Sequence, residues 1–169
     1  MNRKEIFVRY ERCTGCHSCE LACAVSHTAA RNLFGALLEG ERPQKRLYVD
    51  QVGQVKAPAV CRQCEEAPCV AVCITGAMHR REDGLNLVAL HRCIGCWMCA
   101  LACPFGAVGR GAGKAVKCDR ECLDEEGVPA CVRACPTGAL VFQTVEEFEA
   151  ERRLETAKTS LEKQLLGGV

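Results

Sequence analysis

The sequence is poor in aromatic side chains and in long apolar stretches. One tryptophan, two tyrosines and five phenylalanines occur among 169 residues, so side-chain burial alone would build only a small core. No apolar stretch is long enough to span a bilayer, and the N-terminal segment MNRKEIFVRY contains neither an apolar signal core nor a twin arginine. We therefore expect a cytoplasmic protein without a membrane span.

An excess of either charge is also lacking. The chain has 22 basic and 21 acidic residues, whereas nucleic-acid binding needs a basic excess. We expect no nucleic-acid partner.

Cysteine, by contrast, is abundant. All sixteen cysteines fall into four runs, with none left over. The runs are Cys13, Cys16, Cys19 and Cys23; Cys61, Cys64, Cys69 and Cys73; Cys93, Cys96, Cys99 and Cys103; and Cys118, Cys122, Cys131 and Cys135. The third run, closed by Pro104, reads C-x2-C-x2-C-x3-C-P, and the first has the same cysteine spacing.

This spacing is the one with which bacterial ferredoxins hold cubane iron–sulfur clusters. Thiolate is the soft ligand that such iron prefers, and sixteen thiolates match four [4Fe–4S] clusters. The formal charge of +1 counts every cysteine as neutral. With sixteen thiolates and four oxidised cores, the net charge becomes about −7.

Two other uses of cysteine fit the sequence less well. A disulfide scaffold would need an export signal and would not explain the repeated spacing. Structural zinc sites usually contain separated C-x2-C pairs or histidines, rather than three thiolates within seven residues. A structural zinc-binding module remains the alternative from a different class of protein.

Two internal repeats accompany the cysteines. Residues 8–23 match residues 88–103 at a constant offset of 80, and the shared glycines Gly15 and Gly95 indicate loops that approach a cluster closely. The motif C-[IP]-x-G-A follows the last cysteine of the second, third and fourth runs. Each copy is expected to end a helix, turn at glycine and begin a strand.

The coarse pattern predicts short elements around the runs. We expect a strand over 4–9, a helix over 18–28, a partly helical connection over 24–44 and a hairpin over 46–57.

Further along the chain, the turn Asp83-Gly84 predicts a hairpin of strands 77–81 and 85–89, and residues 107–117 predict another. Residues 123–128 read as an exposed loop.

A long helix is expected at the C-terminal end. Thr144 and Glu147 form a capping box, and Gly167-Gly168 is a plausible stop. A loose apolar stripe along this helix either packs on the protein's own surface or docks on a partner subunit.

In ferredoxins the fourth cysteine of such a run ligates the neighbouring cluster, so runs work in pairs. The second and third runs are adjacent, which leaves the first to pair with the fourth. The expected fold is α+β, with two ferredoxin-like dicluster units, one inserted in the other, and a C-terminal helix. The expected domains are 1–58 with 108–143 for the outer unit, 59–107 for the inserted unit and 144–169 for a helical docking tail.

Residues 4–142 resemble the four-cluster ferredoxin subunits of multi-subunit oxidoreductases, such as those of formate dehydrogenases and dimethyl sulfoxide reductases. The resemblance implies four [4Fe–4S] clusters and their ligand sets. These are Cys13, Cys16, Cys19 and Cys135 for cluster 1; Cys61, Cys64, Cys69 and Cys103 for cluster 2; Cys73, Cys93, Cys96 and Cys99 for cluster 3; and Cys23, Cys118, Cys122 and Cys131 for cluster 4.

Residues 19–27, 32–37 and 42–43 are similar to the iron–sulfur subunit that accompanies nickel carbon monoxide dehydrogenase. That resemblance favours carbon monoxide dehydrogenase as the catalytic partner, with aldehyde oxidoreductase, formate dehydrogenase or hydrogenase systems as alternatives. The second partner would be a flavoprotein, a hydrogenase or a ferredoxin. A free polyferredoxin is a further alternative.

The expected function is electron transfer without catalysis, because no nucleotide-binding glycine loop or acid–base pair remains once the cysteines are assigned. Cations beside the runs, at Arg12, Arg62, Arg92 and Lys117, would raise the potential of a nearby cluster, or they are simply solvated. We expect Trp97 to shield a cluster from water. The four histidines, His17, His27, His79 and His91, are not expected to be ligands.

Overall fold

The computed structural model describes residues 3–166, and the side chains of 3–162. Its helices are α1 (Ser18–Ser26), α2 (Leu33–Leu38), α3 (Pro68–Ala71), α4 (Met98–Ala102), α5 (Ala130–Arg133) and α6 (Val145–Leu166). Its strands are β1 (Glu5–Val8), β2 (Tyr48–Val52), β3 (Val55–Ala59), β4 (Met78–Arg80), β5 (Asn86–Val88), β6 (Val108–Gly111), β7 (Lys114–Lys117) and β8 (Leu140–Gln143). The expected mixture of short helices and strands is confirmed.

The strands form four antiparallel pairs within the described part of the chain. Three are hairpins, β2–β3, β4–β5 and β6–β7, at the places where the sequence predicts hairpins. The first begins and ends two residues later than expected, and α1 ends at Ser26 rather than at 28. These differences lie within the usual uncertainty of element ends.

The fourth pair joins the two ends of the cysteine-rich region. β1 and β8 are antiparallel, with Glu5 opposite Gln143 and Val8 opposite Leu140. Ile6, Val8 and Leu140 are buried and pack in one cluster. This pairing brings the segment before the first cysteine run beside the segment after the last one.

The apolar core is small and contains cysteine throughout. The largest cluster combines a few aliphatic side chains with Cys19, Cys23 and Cys131. A second combines Met78, Val108 and Ala115 with Cys69 and Cys99. A third lies between the second and fourth runs and consists of Cys61, Ala107 and Cys118. The cysteine sites and the core therefore occupy the same interior.

The three copies of the C-[IP]-x-G-A motif share the same left-handed backbone conformation at their glycine. Gly76, Gly106 and Gly138 have φ of +61°, +60° and +64°, and a strand begins two residues after each. Positive φ favours glycine. The predicted sequence of helix, glycine turn and strand is confirmed at all three places.

The C-terminal helix begins with the predicted capping box. The amide of Thr144 donates to Glu147 Oε2 at 2.8 Å, and the amide of Glu147 donates to Thr144 Oγ1 at 3.2 Å. The proposed stop at Gly167-Gly168 lies outside the described residues. Among residues 3–166, no helix combines the length and apolar character needed to cross a membrane.

The first half of α6 packs on the protein's own surface. The rings of Phe148 and Phe7 stack with centroids 4.3 Å apart. Glu151 forms an ion pair with the buried Arg9. Further along, Leu154 is exposed. Of the two expected roles, packing on the protein itself therefore accounts for the beginning of the helix.

Candidate metal centres

The first and third cysteine runs fold into loops of the same conformation. Gly15 and Gly95, two residues after the first cysteine, have φ of +72° and +71°. His17 and Trp97, two residues later, are also left-handed and precede α1 and α4 directly. The alternation of ordinary and left-handed residues curls each loop, so that its cysteines face a common interior.

The second and fourth runs form the same turn with larger residues. Gln63 and Arg120 stand two residues after the first cysteine of their runs, with φ of +47° and +62°. Both are buried, at 1% and 6% exposure. A left-handed non-glycine residue costs about 1–2 kcal/mol, so surrounding contacts must hold these side chains in place.

The contacts that hold these two turns are reciprocal. Gln63 Nε2 donates to the carbonyl of Cys118 at 2.7 Å, and Arg120 Nη2 reaches the carbonyl of Cys61 at 3.5 Å. Each buried side chain thus caps the opposite loop. Neither residue is among those predicted from the sequence, although their position, aligned with Gly15 and Gly95, is a signal for them.

Two cavities are each lined by four cysteines from different parts of the chain. Each cavity has a volume of about 20 Å³. The first is lined by Cys13, Cys16, Cys19 and Cys135, and the second by Cys73, Cys93, Cys96 and Cys99. Trp97 also lines the second cavity, half-buried, with Arg110 above its ring at 4.8 Å.

A third group is recognised by electrostatic contact between thiols. Burial raises the pKa of Cys64, and negative charge at Cys61 and Cys103 raises it further. Burial also raises the pKa of Cys69, and the same two neighbours add to this effect. Cys103, the last cysteine of the third run, packs against the buried cluster that contains Cys61, so it lies with the second run.

The last four cysteines form a group around the most deeply buried thiols. Burial raises the pKa of Cys23 to about 12, with further contributions from Cys118 and Cys122. Burial also raises the pKa of Cys131, with contributions from Cys118, Cys122 and Cys23. A thiol with so high a pKa becomes a thiolate only beside strong positive charge, such as a metal centre.

Backbone amides point at four of the cysteine sulfurs. Met78 N lies 3.3 Å from Cys73 Sγ, and Ala139 N lies 3.2 Å from Cys135 Sγ. Arg46 N lies 3.4 Å from Cys23 Sγ, and Ala115 N lies 3.5 Å from Cys93 Sγ. Hydrogen bonds to ligand sulfur stabilise negative charge there and are one means of setting a cluster's potential.

The residues of the four groups fit iron–sulfur clusters. All sixteen cysteines are free thiols, and within residues 3–162 no three His, Cys, Asp or Glu side chains converge closely enough to hold a single metal ion. The buried atoms Arg120 Nε and Nη1 have no hydrogen-bond partner in the described region. Arg120 lowers the pKa of Cys118, against the larger effect of burial, so its guanidinium lies close to that thiol group. Cluster sulfur would be an acceptor for these donors.

The four cations expected beside the cysteine runs differ in how deeply they are buried. Arg12 pairs with Glu155 at 2.5 Å on the surface, whereas Lys117 is buried. Arg62 lies 5.8 Å from the ring centroid of Phe105, and Arg92 is exposed.

The histidines have other partners or are exposed. His17 contacts Glu20 at 3.0 Å, His27 contacts Asp119 at 3.1 Å, and His79 contacts the carbonyl of Ala77 at 3.1 Å. His91 is exposed.

Comparison with known proteins agrees with this chemistry. A family model described as a 4Fe-4S dicluster domain matches residues 53–145, and one described as a 4Fe-4S binding domain matches residues 10–26. Together they include all sixteen cysteines. The chain belongs to the 4Fe-4S ferredoxin-like family of iron–sulfur proteins, which confirms the family resemblance expected from the sequence.

Particular relatives match over most of their length. The electron transport protein HydN of Escherichia coli is 39% identical, over 93% of this chain and 98% of its own. The B subunit of the anaerobic dimethyl sulfoxide reductase of Escherichia coli is 36% identical, over 84% of this chain and 74% of its own. A solved structure, the active site complex BamBC of benzoyl coenzyme A reductase with benzoyl-CoA, matches with a TM-score of 0.45 and 19% identity, over 94% of this chain and 96% of that one.

Proposed function

We propose that this chain is an electron-transfer subunit that holds four [4Fe–4S] clusters. The observation that carries the proposal is the collection of sixteen cysteines into four groups of four, each drawn from two or three segments of the chain. The ligand sets are those implied by the family resemblance. The clusters would supply one-electron redox chemistry at potentials that the protein sets.

We also propose the division into an outer unit, 1–58 with 108–143, and an inserted unit, 59–107, followed by the tail 144–169. The pairing of β1 with β8 and the packing of α1 on α5 support the outer unit. The packing of α3 on α4 supports the inserted unit.

We propose that electrons pass through the clusters in the order cluster 1, cluster 4, cluster 2 and cluster 3. Cys19 and Cys23 lie on α1 and link cluster 1 to cluster 4, while Cys61 and Cys118 share one small core and link cluster 4 to cluster 2. The second and third runs link cluster 2 to cluster 3. Cys16 and Cys96, in the two end sets, are exposed. A linear relay with both ends at the surface suits a protein placed between two redox partners.

The partner at one end would be a catalytic oxidoreductase, and at the other a second carrier such as a flavoprotein, a hydrogenase or a ferredoxin. The resemblance of residues 19–27, 32–37 and 42–43 favours carbon monoxide dehydrogenase. Aldehyde oxidoreductase and formate dehydrogenase are the alternatives. The similarity to the B subunit of dimethyl sulfoxide reductase supports a role as one subunit of an enzyme complex.

Anaerobic purification tests the cofactor. We expect a brown protein with about sixteen irons per chain and, after reduction, about four S = 1/2 spins. A colourless protein that contains zinc would contradict the proposal.

Paired substitutions test the ligand sets. Cys13→Ala with Cys135→Ala should lower the spin count by about one, because both thiols serve one cluster. The matched pair Cys131→Ala with Cys135→Ala should lower it by about two. Equal losses from the two pairs would contradict the proposed sharing of cysteines between runs.

A reduction assay tests the partner. With nickel carbon monoxide dehydrogenase and carbon monoxide, we expect the visible absorbance of this protein to bleach, and no bleaching when carbon monoxide is omitted. Bleaching by formate dehydrogenase and formate, but not by the carbon monoxide system, would move the assignment to the alternative.

A further inference from the structure

Lys117 is a buried cation at the junction between the second and fourth cysteine runs. It ends β7, immediately before Cys118, and is 4% exposed. Its Nζ donates to the carbonyl of Asn86, to the carbonyl of Cys118 at 3.2 Å and to Gln63 Oε1 at 3.4 Å. All three acceptors are neutral oxygens, so they fix the position of the ammonium without neutralising it.

The other cations in this interior have carboxylate partners. Arg120 Nη2 lies 2.8 Å from Glu5 Oε2, and Arg46 forms an ion pair with Asp119. Arg9 is paired with Glu151. For Lys117, no carboxylate of residues 3–162 comes within 4.0 Å of Nζ. Lys117 therefore adds an uncompensated positive charge to this interior.

An isolated buried charge costs several kcal/mol, so nearby negative charge is expected to offset it. Its hydrogen bonds lead to the loop of the second run. Gln63, which accepts from Nζ, stands between Cys61 and Cys64, and Asn86, whose carbonyl also accepts from Nζ, donates through Nδ2 to the carbonyl of Cys64. In agreement with this geometry, Lys117 opposes the burial-driven rise in the pKa of Cys69. The ligand set of cluster 2 is thus the natural counter-charge of Lys117.

We propose that Lys117 raises the reduction potential of the cluster held by Cys61, Cys64, Cys69 and Cys103 relative to the other three clusters. The inference rests on the proposed function. Reduction adds one electron to that core, delivered by a neighbouring cluster of the relay, and no bond or proton changes. The fixed ammonium stabilises the added negative charge in a low-dielectric interior.

The surrounding contacts make this role specific to one position. Gln63 accepts a hydrogen bond from Lys117 and donates one to the carbonyl of Cys118. The backbone amide of Asn86 donates to Gln63 Oε1 at 2.8 Å. Asn86 Nδ2 in turn donates to the carbonyl of Cys64 at 2.8 Å. The network ties the ammonium to the second-run loop, so it cannot swing out to solvent without breaking buried hydrogen bonds.

A redox titration of the intact cluster-loaded protein, followed by electron paramagnetic resonance, tests the inference. Lys117→Met should reduce the equilibrium constant for reducing one cluster at least tenfold, which moves one midpoint down by 59 mV or more. Lys117→Arg should keep that midpoint near its original value. If Lys117→Met does not retain its iron, Lys117→Gln removes the same charge with a side chain that can still form hydrogen bonds.

Lys114→Met is the matched control. Lys114 lies on the same strand, but its Nζ donates to the carbonyl of Leu90 at the surface, at 2.6 Å. Since solvent screens an exposed charge, its loss should shift every midpoint by much less than tenfold in equilibrium constant. Cys64→Ser identifies the relevant signal, because it alters the spectrum of the cluster that Cys64 ligates.

Three patterns would overturn the inference. The first is no midpoint shift in Lys117→Met, and the second is an equal shift of all four midpoints. The third is a shift confined to a signal that Cys64→Ser leaves unchanged. Failure of the proposed function is a different result, since the unsubstituted protein would then lack about sixteen irons or its cluster signals.

Discussion

At the scale of single residues, the cysteine loops leave little room for side chains. A Cβ built on Gly95 would lie 2.2 Å from the carbonyl oxygen of Gly113, in the turn between β6 and β7. Gly95 also has φ of +71°. The close approach and the left-handed conformation both require glycine, and they link the third cysteine run to the neighbouring hairpin.

We expect Gly95→Ala to perturb the cluster of the third run. The backbone must shift to relieve the contact, in addition to the roughly 1 kcal/mol or more that a left-handed alanine costs. Iron content should fall by up to about four per chain.

Gly53→Ala is the control for this substitution, because Gly53 has φ of +60° but no atom within 4 Å of a built Cβ. It should retain its iron. Equal iron loss in both variants would show that the conformation alone, and not the contact with Gly113, is responsible.

The glycines of these loops could be predicted from the sequence, whereas the contacts that hold the two residues in the equivalent positions could not. Gly15 and Gly95 stand in an exact repeat, and local pattern was enough to find them. Gln63 and Arg120 hold the same turn through contacts with residues more than fifty positions away. Contacts of that kind have no local signature, so the buried network around Lys117 appeared only with the fold.

At the scale of elements, the start of α6 could be predicted from the sequence, whereas the surface on which α6 packs could not. The capping box is a local motif and was found in the sequence. The stacking of Phe148 on Phe7 joins residues at opposite ends of the chain, and sequence pattern alone left the choice between self and partner open. Further along the helix, Leu154 and Leu161 are exposed and remain available to a partner subunit.

We expect Thr144→Ala to destabilise the beginning of α6. The substitution removes the acceptor of the Glu147 amide, a loss of about 0.5–2 kcal/mol. Hydrogen exchange of the amides in the first turns should accelerate accordingly, while the cysteine loops remain protected.

Thr159→Ala is a suitable comparison for the capping prediction. The Thr159 hydroxyl donates to the carbonyl of Glu155 inside the same helix, a contact that contributes little to helix stability. Unchanged protection in Thr144→Ala would mean that packing against Phe7, rather than the cap, holds this end.

At the scale of the whole molecule, cysteine makes up a large share of the buried side chains, and in the third buried cluster cysteines outnumber aliphatic residues. Cysteines take part in each buried apolar cluster, and burial raises the pKa of Cys19 to about 11. Without metal, these thiols would line cavities and make few contacts. Metal ligation would then supply folding free energy that the small core does not.

We therefore expect removal of iron under anaerobic conditions to unfold most of the chain. Circular dichroism should show a large loss of secondary structure and no cooperative thermal transition. Protein held for the same time without chelator is the control, and reconstitution with iron and sulfide should restore the signal. A cooperative melt of the iron-free protein would contradict this expectation.

The pairing of β1 with β8 also determines when, during synthesis of the chain, the outer part of the fold can form. At about 5–20 residues per second, the 132 residues from Arg9 to Leu140 take roughly 7–26 s to synthesise. During that interval, the first cysteine run has left the ribosome, but its partner strand and Cys135 do not yet exist. Residues 61–103 are complete earlier, so maturation should proceed from the middle of the chain outwards, and the N-terminal thiols must be kept reduced until the last strand arrives.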